Sequence, residues 1–389
     1  VDEIKKSIDD CIDGLRDELT SLSTFIHDNP ELGNQEYKAA AILCDTLEKY
    51  GFSVERGYLG IETAFKADYG RRDEVSVAIM AEYDALPGLG HGCGHNLICA
   101  AAVGAAIALK PVADMFGGLV TVFGTPAEET NGAKVPMAAA GVFDPYDIAI
   151  MAHPSDKYCV YSSSLAMDAL QFEYFGKAAH AASAPHEGIN ALDAVLQLFN
   201  GVNALRQQME DGSRVHGIIT DGGKAPNIIP DHAEARFYVR AKTRMKLDIL
   251  REKVIRCARG AEMATGSRLE ISNFEFSFDD MVTNRHLAET CKENLKRLGV
   301  HELSENDESM GSTDMGNVSH RVPSMHLYFR IVEPGTPGHS IEMCNASGSE
   351  EGINAMMIAA KALAMTATDV MRDEELRKRI RDEFTKNLK

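Results

Sequence analysis

The run His91-Gly92-Cys93-Gly94-His95 sets two imidazoles and a thiol within five residues, separated by glycines that let the backbone turn tightly. Imidazole nitrogen and sulfur are the donors that borderline divalent cations take from proteins. The run therefore reads as a metal-binding turn or, on its own, equally as a glycine-rich loop. Thr125-Pro126-Ala127-Glu128-Glu129-Thr130 adds two adjacent carboxylates, His153-Pro154 another imidazole, and Pro337-Gly338-His339-Ser340 a last one. Taken singly, these have ordinary readings: a solvated acidic face, or a structural histidine with a hydrogen-bond partner. Other chemistries find no footing. Gly88, Gly90, Gly92 and Gly94 fail the G-x-G-x-x-G spacing because His95 stands where the third glycine belongs, and GxxxxGK[ST], HExxH and GxSxG are absent.

What could bring these groups together is the order of the elements around them. Val75–Ala81 is an apolar strand candidate that leads through Glu82–Gly88 into the His91–His95 run, and a small-residue helix, Leu97–Leu109, follows with Asn96 as its expected N-cap. Leu119–Phe123 leads into Glu128 and Glu129, Asp147–Met151 into His153, and Met325–Phe329 precedes His339. Strands this apolar, alternating with helices, predict a largely parallel sheet covered on both faces, whose ligands bind beyond the carboxyl ends of the strands. Three successive strands then deliver Cys/His, Glu/Glu and His to one edge, and a fourth brings His339 within reach of it. Ile4, Ile8, Ile12, Leu15, Leu19, Leu22 and Ile26 predict an amphipathic helix over residues 1–27, and a second runs from about Glu36 to Tyr50, stopping at Gly51.

The middle of the chain differs. A strand over 168–175, a helix over 188–209, strands over 214–220 and 232–240, a helix over 246–264 and a strand over 269–276 give the order β-α-β-β-α-β. The expected fold class is thus α/β: a largely parallel, doubly wound catalytic domain, residues 1–165 and 278–389, interrupted by an inserted α+β domain, residues 166–277.

With 40 Lys+Arg against 58 Asp+Glu, the 389-residue chain has a net charge of −18, which speaks against nucleic acid or an anionic membrane surface as a partner. The longest apolar run, Leu97–Leu109, falls short of the ~18 residues that a membrane span needs, and Val1–Lys6 lacks the apolar core of a signal peptide. Cys11, Cys44, Cys99 and Cys257 lie in apolar-periodic stretches, as buried thiols do. The expectation is a reduced, cytoplasmic protein.

The run Ala81-Glu82-Tyr83-Asp84-Ala85-Leu86-Pro87, then His91-x-Cys-Gly-His95, Pro126-Ala-Glu-Glu129 and His153-Pro154, resembles the dinuclear metal amidohydrolases. That family includes aminoacylases, auxin-conjugate hydrolases, aminobenzoyl-glutamate hydrolase and related dipeptidases and carboxypeptidases. The likeness is nearest to the branch of aminobenzoyl-glutamate hydrolase and the β-alanyl-lysine-type dipeptidases, in which Asn-Leu follows Cys-Gly-His as here. The resemblance implies two divalent ions, Zn or Mn before Co or Ni. Cys93 would bridge them, His95 and His153 would hold one, Glu129 and His339 the other, and Glu128 would be the general base. Where auxin-conjugate hydrolases have Asp, this chain has Asn96, which adds no charge to the site. In the inserted domain, Gly176-Lys177-Ala178-Ala179-His180-Ala181-Ala182 is similar to the family's lid motif, whose His reaches a partner subunit's active site and polarises the scissile carbonyl. Gly222–Pro230, with Asn227, looks like the next lid motif, and Arg240 resembles the arginine that holds a substrate carboxylate. Asp314, in Gly311–Asp314, falls in a family-like stretch without an assigned role.

The implied activity is hydrolysis, by a metal-activated water, of the amide bond of a small N-acyl amino acid or dipeptide bearing a carboxylate, in a homodimer formed through the lid domain. The competing expectation is a catalytically silent metal- or ligand-binding homologue. The presence of Glu128 speaks against it, because a binding protein has no need of a free base beside the ions.

Overall fold

In the computed structural model the described residues are 2–72, 74–304 and 311–387. The first residue of the helix expected over 1–27 lies outside them. That helix is two, α1 (Asp2–Gly14) and α2 (Arg16–Asp28), parted at Leu15 where Gly14 weakens the helix. Next come α3 (Tyr37–Lys49), β1 (Ser53–Arg56), β2 (Phe65–Gly70), β3 (Val75–Ala81), α4 (His95–Phe116), β4 (Gly118–Gly124), α5 (Lys134–Ala139) and β5 (Ile148–Ser155). The middle supplies β6 (Ala166–Phe175), α6 (Ala191–Leu205), β7 (Arg214–Asp221), β8 (His232–Ala241), α7 (Arg244–Thr265) and β9 (Arg268–Asn273). The chain ends with α8 (Arg285–Arg297), α9 (Met315–Ser319), β10 (Ser324–Arg330), α10 (Ile341–Ser347), α11 (Glu350–Arg372) and α12 (Glu374–Asn387).

Two compact units result, Val1–Ser163 with Met281–Ser309 and Asp314–Lys389, and Ser164–Asp280 with Met310–Thr313. The expected insertion, 166–277, did not include that last short segment, which is tied in by Leu165 donating its N–H to the Gly311 carbonyl at 2.8 Å.

The first unit holds a six-stranded sheet in the order β1-β2-β4-β3-β5-β10. β4, β3, β5 and β10 are mutually parallel, so their carboxyl ends share one edge, while β1 and β2 form an antiparallel margin that the sequence did not announce. α4 begins one residue before Asn96. Gly94, at φ 72°, precedes its first residue, and Asn96 is not a cap but a buried donor to Ser23 Oγ and the Ser347 carbonyl, both at 2.9 Å. By length and composition α4 could cross a membrane, yet 89% of its apolar window is buried inside the protein. Leu97, Val103 and Leu109 on it are buried in the main core, where each such side chain contributes about 1.5–3 kcal/mol.

The second unit is a four-stranded antiparallel sheet, β7-β8-β6-β9, with α6 and α7 packed on it. Ala235, Phe237 and Val239 of β8 are buried as their alternation predicts. α6 starts only at Ala191 because the Asn190 side chain caps it, accepting from Leu192 and Asp193 N–H.

Asp168 on β6 is 1% exposed and receives a two-pronged ion pair from Arg244 at 2.8 and 3.0 Å, with Arg251 Nε at 3.2 Å. Burial alone would raise this carboxyl, but Arg244 and Arg251 outweigh it and hold it below the usual range. Its ion pairs therefore stabilise the fold above the unfolded carboxyl value of ~3.9, and the contribution is lost as pH falls through the depressed folded value. Asp168→Asn is expected to cost about 3 kcal/mol at neutral pH, a difference in Tm that narrows on acidification. Equal melting of variant and parent at pH 7 would contradict it.

Candidate active site

Strand register sets the site. Ala81 of β3 lies opposite Gly124 of β4, and Thr125 donates its N–H to the Ala81 carbonyl at 2.8 Å, so the loops bearing Glu82–Asp84 and Glu128–Glu129 start side by side. β5 delivers His153 opposite Tyr328 of β10. Gly94 must be glycine, since a Cβ there would come within 2.8 Å of Pro154 Cγ as α4 starts against the end of β5. Two other residues of the site, Ala127 and His339, hold left-handed φ values of 65° and 54° without being glycine. Such backbone strain gathers at functional sites.

The ligand atoms of Cys93, His95 and His153 lie within 4.8 Å of one another, and so do those of Cys93, Glu129 and His339. Cys93 is common to both groups. His95 Nδ1 faces Asp84 Oδ1 at 3.0 Å, and its Nε2 lies 3.7 Å from Glu82 Oε2 and 3.9 Å from Glu129 Oε1. Those three atoms, His95 Nε2, Glu82 Oε2 and Glu129 Oε1, are buried and have no hydrogen-bond partner among the described residues. Burial opposes a charge on His95, yet Asp84, Cys93 and Glu82 outweigh it and raise its pKa well above the ordinary imidazole value. The surroundings demand positive charge at this point, which a proton or a metal ion can provide.

The other donors agree. His153 Nδ1 lies 2.7 Å from the Pro154 carbonyl, so that its proton sits there and Nε2 offers its lone pair. Burial and the neighbouring His95 lower its pKa, keeping it in the neutral, ligating form. Burial pushes the Cys93 thiol up, so a cation is what would convert it to thiolate. Burial alone would raise Glu129, but His339, 3.4 Å away, together with His95 and Cys93, bring it down to about 2. A thiol, two carboxylate oxygens and three imidazoles around orphaned buried acceptors fit a pair of divalent ions.

Glu128 belongs to a different set. Its carboxylate lies within 4.8 Å of Glu82 and Asp314, and also groups with His95 and Glu129. Burial first, then Glu82, Glu129 and Asp314, raise its pKa well above the ordinary value. The buried Lys134 ammonium bonds to Glu82 Oε1 and, at 2.6 Å, to Asp314 Oδ1. Burial opposes its charge, and Asp314, Glu82 and Glu128 restore it.

In the second unit His180 is exposed, and its Nδ1 accepts N–H bonds from Ala182 and Ser183, both at 3.2 Å, which leaves the proton on Nε2. The Asn227 carbonyl takes the Ala181 N–H at 3.0 Å, tying the segments 176–182 and 222–230 together. Arg240 donates through Nη1 to Ser312 Oγ at 3.0 Å, while its Nε is buried without a partner among the described residues.

Not every expectation joins the site. His91 faces away, with Nε2 3.1 Å from the Ile26 carbonyl and its ring stacked on His27. Glu82, Asp84 and Lys134 join the site without a role assigned from the sequence, as does His326, a buried histidine 5.6 Å from the His153 ring. Asp84 stood in a noticed run. Lys134 gave no signal, because its partners lie 52 and 180 residues away.

Residues 168–262 match the peptidase dimerisation domain M20_dimer. The chain is 39% identical over 403 residues to the Xaa-Arg dipeptidase of Homo sapiens, covering 97% of this chain and 91% of that one. It is 30% identical over 450 residues to a component of the p-aminobenzoyl-glutamate hydrolase from Escherichia coli K12, covering 96% and 93%. A solved structure described as a dinuclear metal binding peptidase from the M20 family of Bacillus subtilis superposes with a TM-score of 0.69 at 21% identity, covering 92% of this chain and 99% of that one; this likeness bears on the fold.

Proposed function

Because this chain belongs to the M20 peptidase family, a family of amide-bond hydrolases, we propose that it is a two-metal dipeptidase that releases a C-terminal basic amino acid. The observation that supports this most is Cys93, the member common to both ligand groups, with Glu128 beside them. Cys93, His95 and His153 would hold one ion, and Cys93, Glu129 and His339 the other. When bound, such ions polarise an amide carbonyl and acidify water.

The chain's own residues do the rest. Asp84 fixes the ring of His95, and Glu128 takes the proton of the attacking water and returns it to the leaving amine. As the likeness of its motif implies, His180 would reach the partner subunit's site and donate its Nε2–H to the carbonyl oxygen as negative charge develops there. Arg240, whose Nε–H has no partner among the described residues, would bind the terminal carboxylate and orient the bond, and Asn227 would line the same substrate, as the likeness of their motifs implies. The name of the human relative, Xaa-Arg dipeptidase, and a net charge of −18 that attracts cationic substrates both support a basic leaving residue. The dimerisation-domain match, together with Ile218 and Ile219 exposed on the edge strand β7, supports a homodimer formed through the second unit. Cys11, Cys44, Cys99 and Cys257, set in apolar-periodic stretches, support a reducing, cytoplasmic setting.

The test is to strip the protein with a chelator, restore Zn²⁺, Mn²⁺ or Co²⁺ separately, and offer Xaa-Arg and Xaa-Lys dipeptides, N-acetyl amino acids and aminobenzoyl-glutamate. Free arginine or lysine is the expected product. Release only from N-acetyl amino acids would make the protein a deacylase, and no release in any well would leave a silent binding homologue. His180→Ala should lower kcat by about 100-fold, the effect of losing one oxyanion donor, with KM changing far less. An unchanged kcat would reduce His180 to a structural residue.

A further inference from the structure

The loop that bears Glu128 and Glu129 is gripped on both sides of Glu128. Ala127 donates its N–H to Glu36 Oε1 at 2.8 Å, and Glu129 donates its N–H to Asp84 Oδ2 at 2.9 Å. The turn between them is unfavourable by itself. Ala127 has a φ of 65°, and its carbonyl accepts the N–H groups of Thr130 at 3.1 Å and Gly132 at 2.6 Å. For a residue with a β-carbon this conformation costs about 1–2 kcal/mol, which the bond from Glu36 to the Ala127 N–H helps to offset.

Glu36 is built for that. It directly precedes α3, is 0% exposed, and its second oxygen accepts the Thr63 hydroxyl at 2.9 Å. Thr63 is fixed in turn, its carbonyl accepting the Tyr83 hydroxyl at 2.6 Å, and Tyr83 stands between Glu82 and Asp84. The segment before Glu36 is stitched to the loop that carries Tyr83 and Asp84, with Ala85 donating its N–H to the Glu31 carbonyl at 2.8 Å. Gly33 lies against the turn, where a Cβ would come within 2.6 Å of Thr130 Oγ1 and 3.0 Å of the Ala127 Cα.

We propose that Glu36 is a positioning residue for Glu128: it locks Ala127 into the left-handed turn and so sets the direction in which Glu128 faces the site, while Asp84 independently holds the ligand Glu129. The inference rests on Glu128 being the base. It implies that base and ligand can be uncoupled. Without Glu36 the loop loses its anchor before Glu128 and keeps the one after it.

The experiment compares Glu36→Ala, Glu36→Gln and Thr63→Val with the parent, measuring kcat, KM, bound metal per chain and the visible spectrum of the Co²⁺-loaded protein. Glu36→Ala is expected to lower kcat by about 100-fold, the scale on which a misplacement of ~1 Å acts. KM, metal content and the Co²⁺ spectrum should stay at parent values. Glu36→Gln should recover most of the activity, because its Oε1 can still accept the Ala127 N–H and its amide N–H can donate to the Thr63 hydroxyl. Thr63→Val, which removes only the outer anchor, should fall between the two and serves if Glu36→Ala does not fold. A parent-like kcat in Glu36→Ala, or in Thr63→Val if that variant stands in for it, overturns the proposal. Loss of metal together with kcat in Glu36→Ala and Glu36→Gln alike overturns it too, in favour of a structural role. A parent chain that hydrolyses no amide with both ions bound overturns the assignment of Glu128 and this inference with it, and is read before any variant is made.

Discussion

Glu128→Gln should lower kcat by about 10³-fold, within the range of a lost general base, while the protein still binds two ions per chain. Glu128 is adjacent to Glu129 and both group with His95, yet each carboxylate also has company of its own. That of Glu129 is grouped with Cys93 and His339, that of Glu128 with Glu82 and Asp314. Lys134 engages both Glu82 and Asp314, and Glu128 is the member of that group to which we assign the proton transfer. The amide of Gln has the same shape and cannot take a proton, so the change isolates the chemistry from the fold. Kinetics with the matched dipeptide, alongside metal analysis, checks the expectation. Loss of an ion together with kcat would place Glu128 among the ligands instead.

Cys93→Ser should weaken both ions at once, by more than the roughly 10–100-fold typical of disturbing a ligand's supporting hydrogen bond. Cys93 is shared by the two groups, and a serine hydroxyl remains protonated where a thiolate would share its charge between two cations. By contrast, His153→Asn should affect mainly the ion shared with His95. Titration of the stripped variants with Zn²⁺ against a chromophoric chelator separates the cases. Two ions bound by Cys93→Ser with the parent's affinity would remove Cys93 from the centre.

The parallel half of the sheet was legible because β3, β4, β5 and β10 are continuous apolar runs, and apolar parallel strands fix where their following loops lie. Hence Cys93, His95, Glu128, Glu129 and His153 could be set on one edge from the sequence alone, and His339 by extension from the fourth strand. β1 was not legible: Ser53-Val54-Glu55-Arg56 is short and mostly exposed, and only its pairing with β2 makes it a strand. Asn96 was misread as a cap because Asn favours caps in general, whereas the positive φ of Gly94 starts the helix earlier and turns Asn96 inward. Lys134, Glu36 and Asp84 owe their importance to partners distant in sequence, so spacing does not expose them.

The most direct measurement is anomalous diffraction from crystals of the Zn²⁺- or Mn²⁺-loaded protein, recorded on both sides of the metal's absorption edge. Two peaks flanking the Cys93 sulfur are expected, one beside His95 and His153 and the other beside Glu129 and His339. A single peak, or peaks that leave Cys93 outside the coordination of either ion, would contradict that expectation.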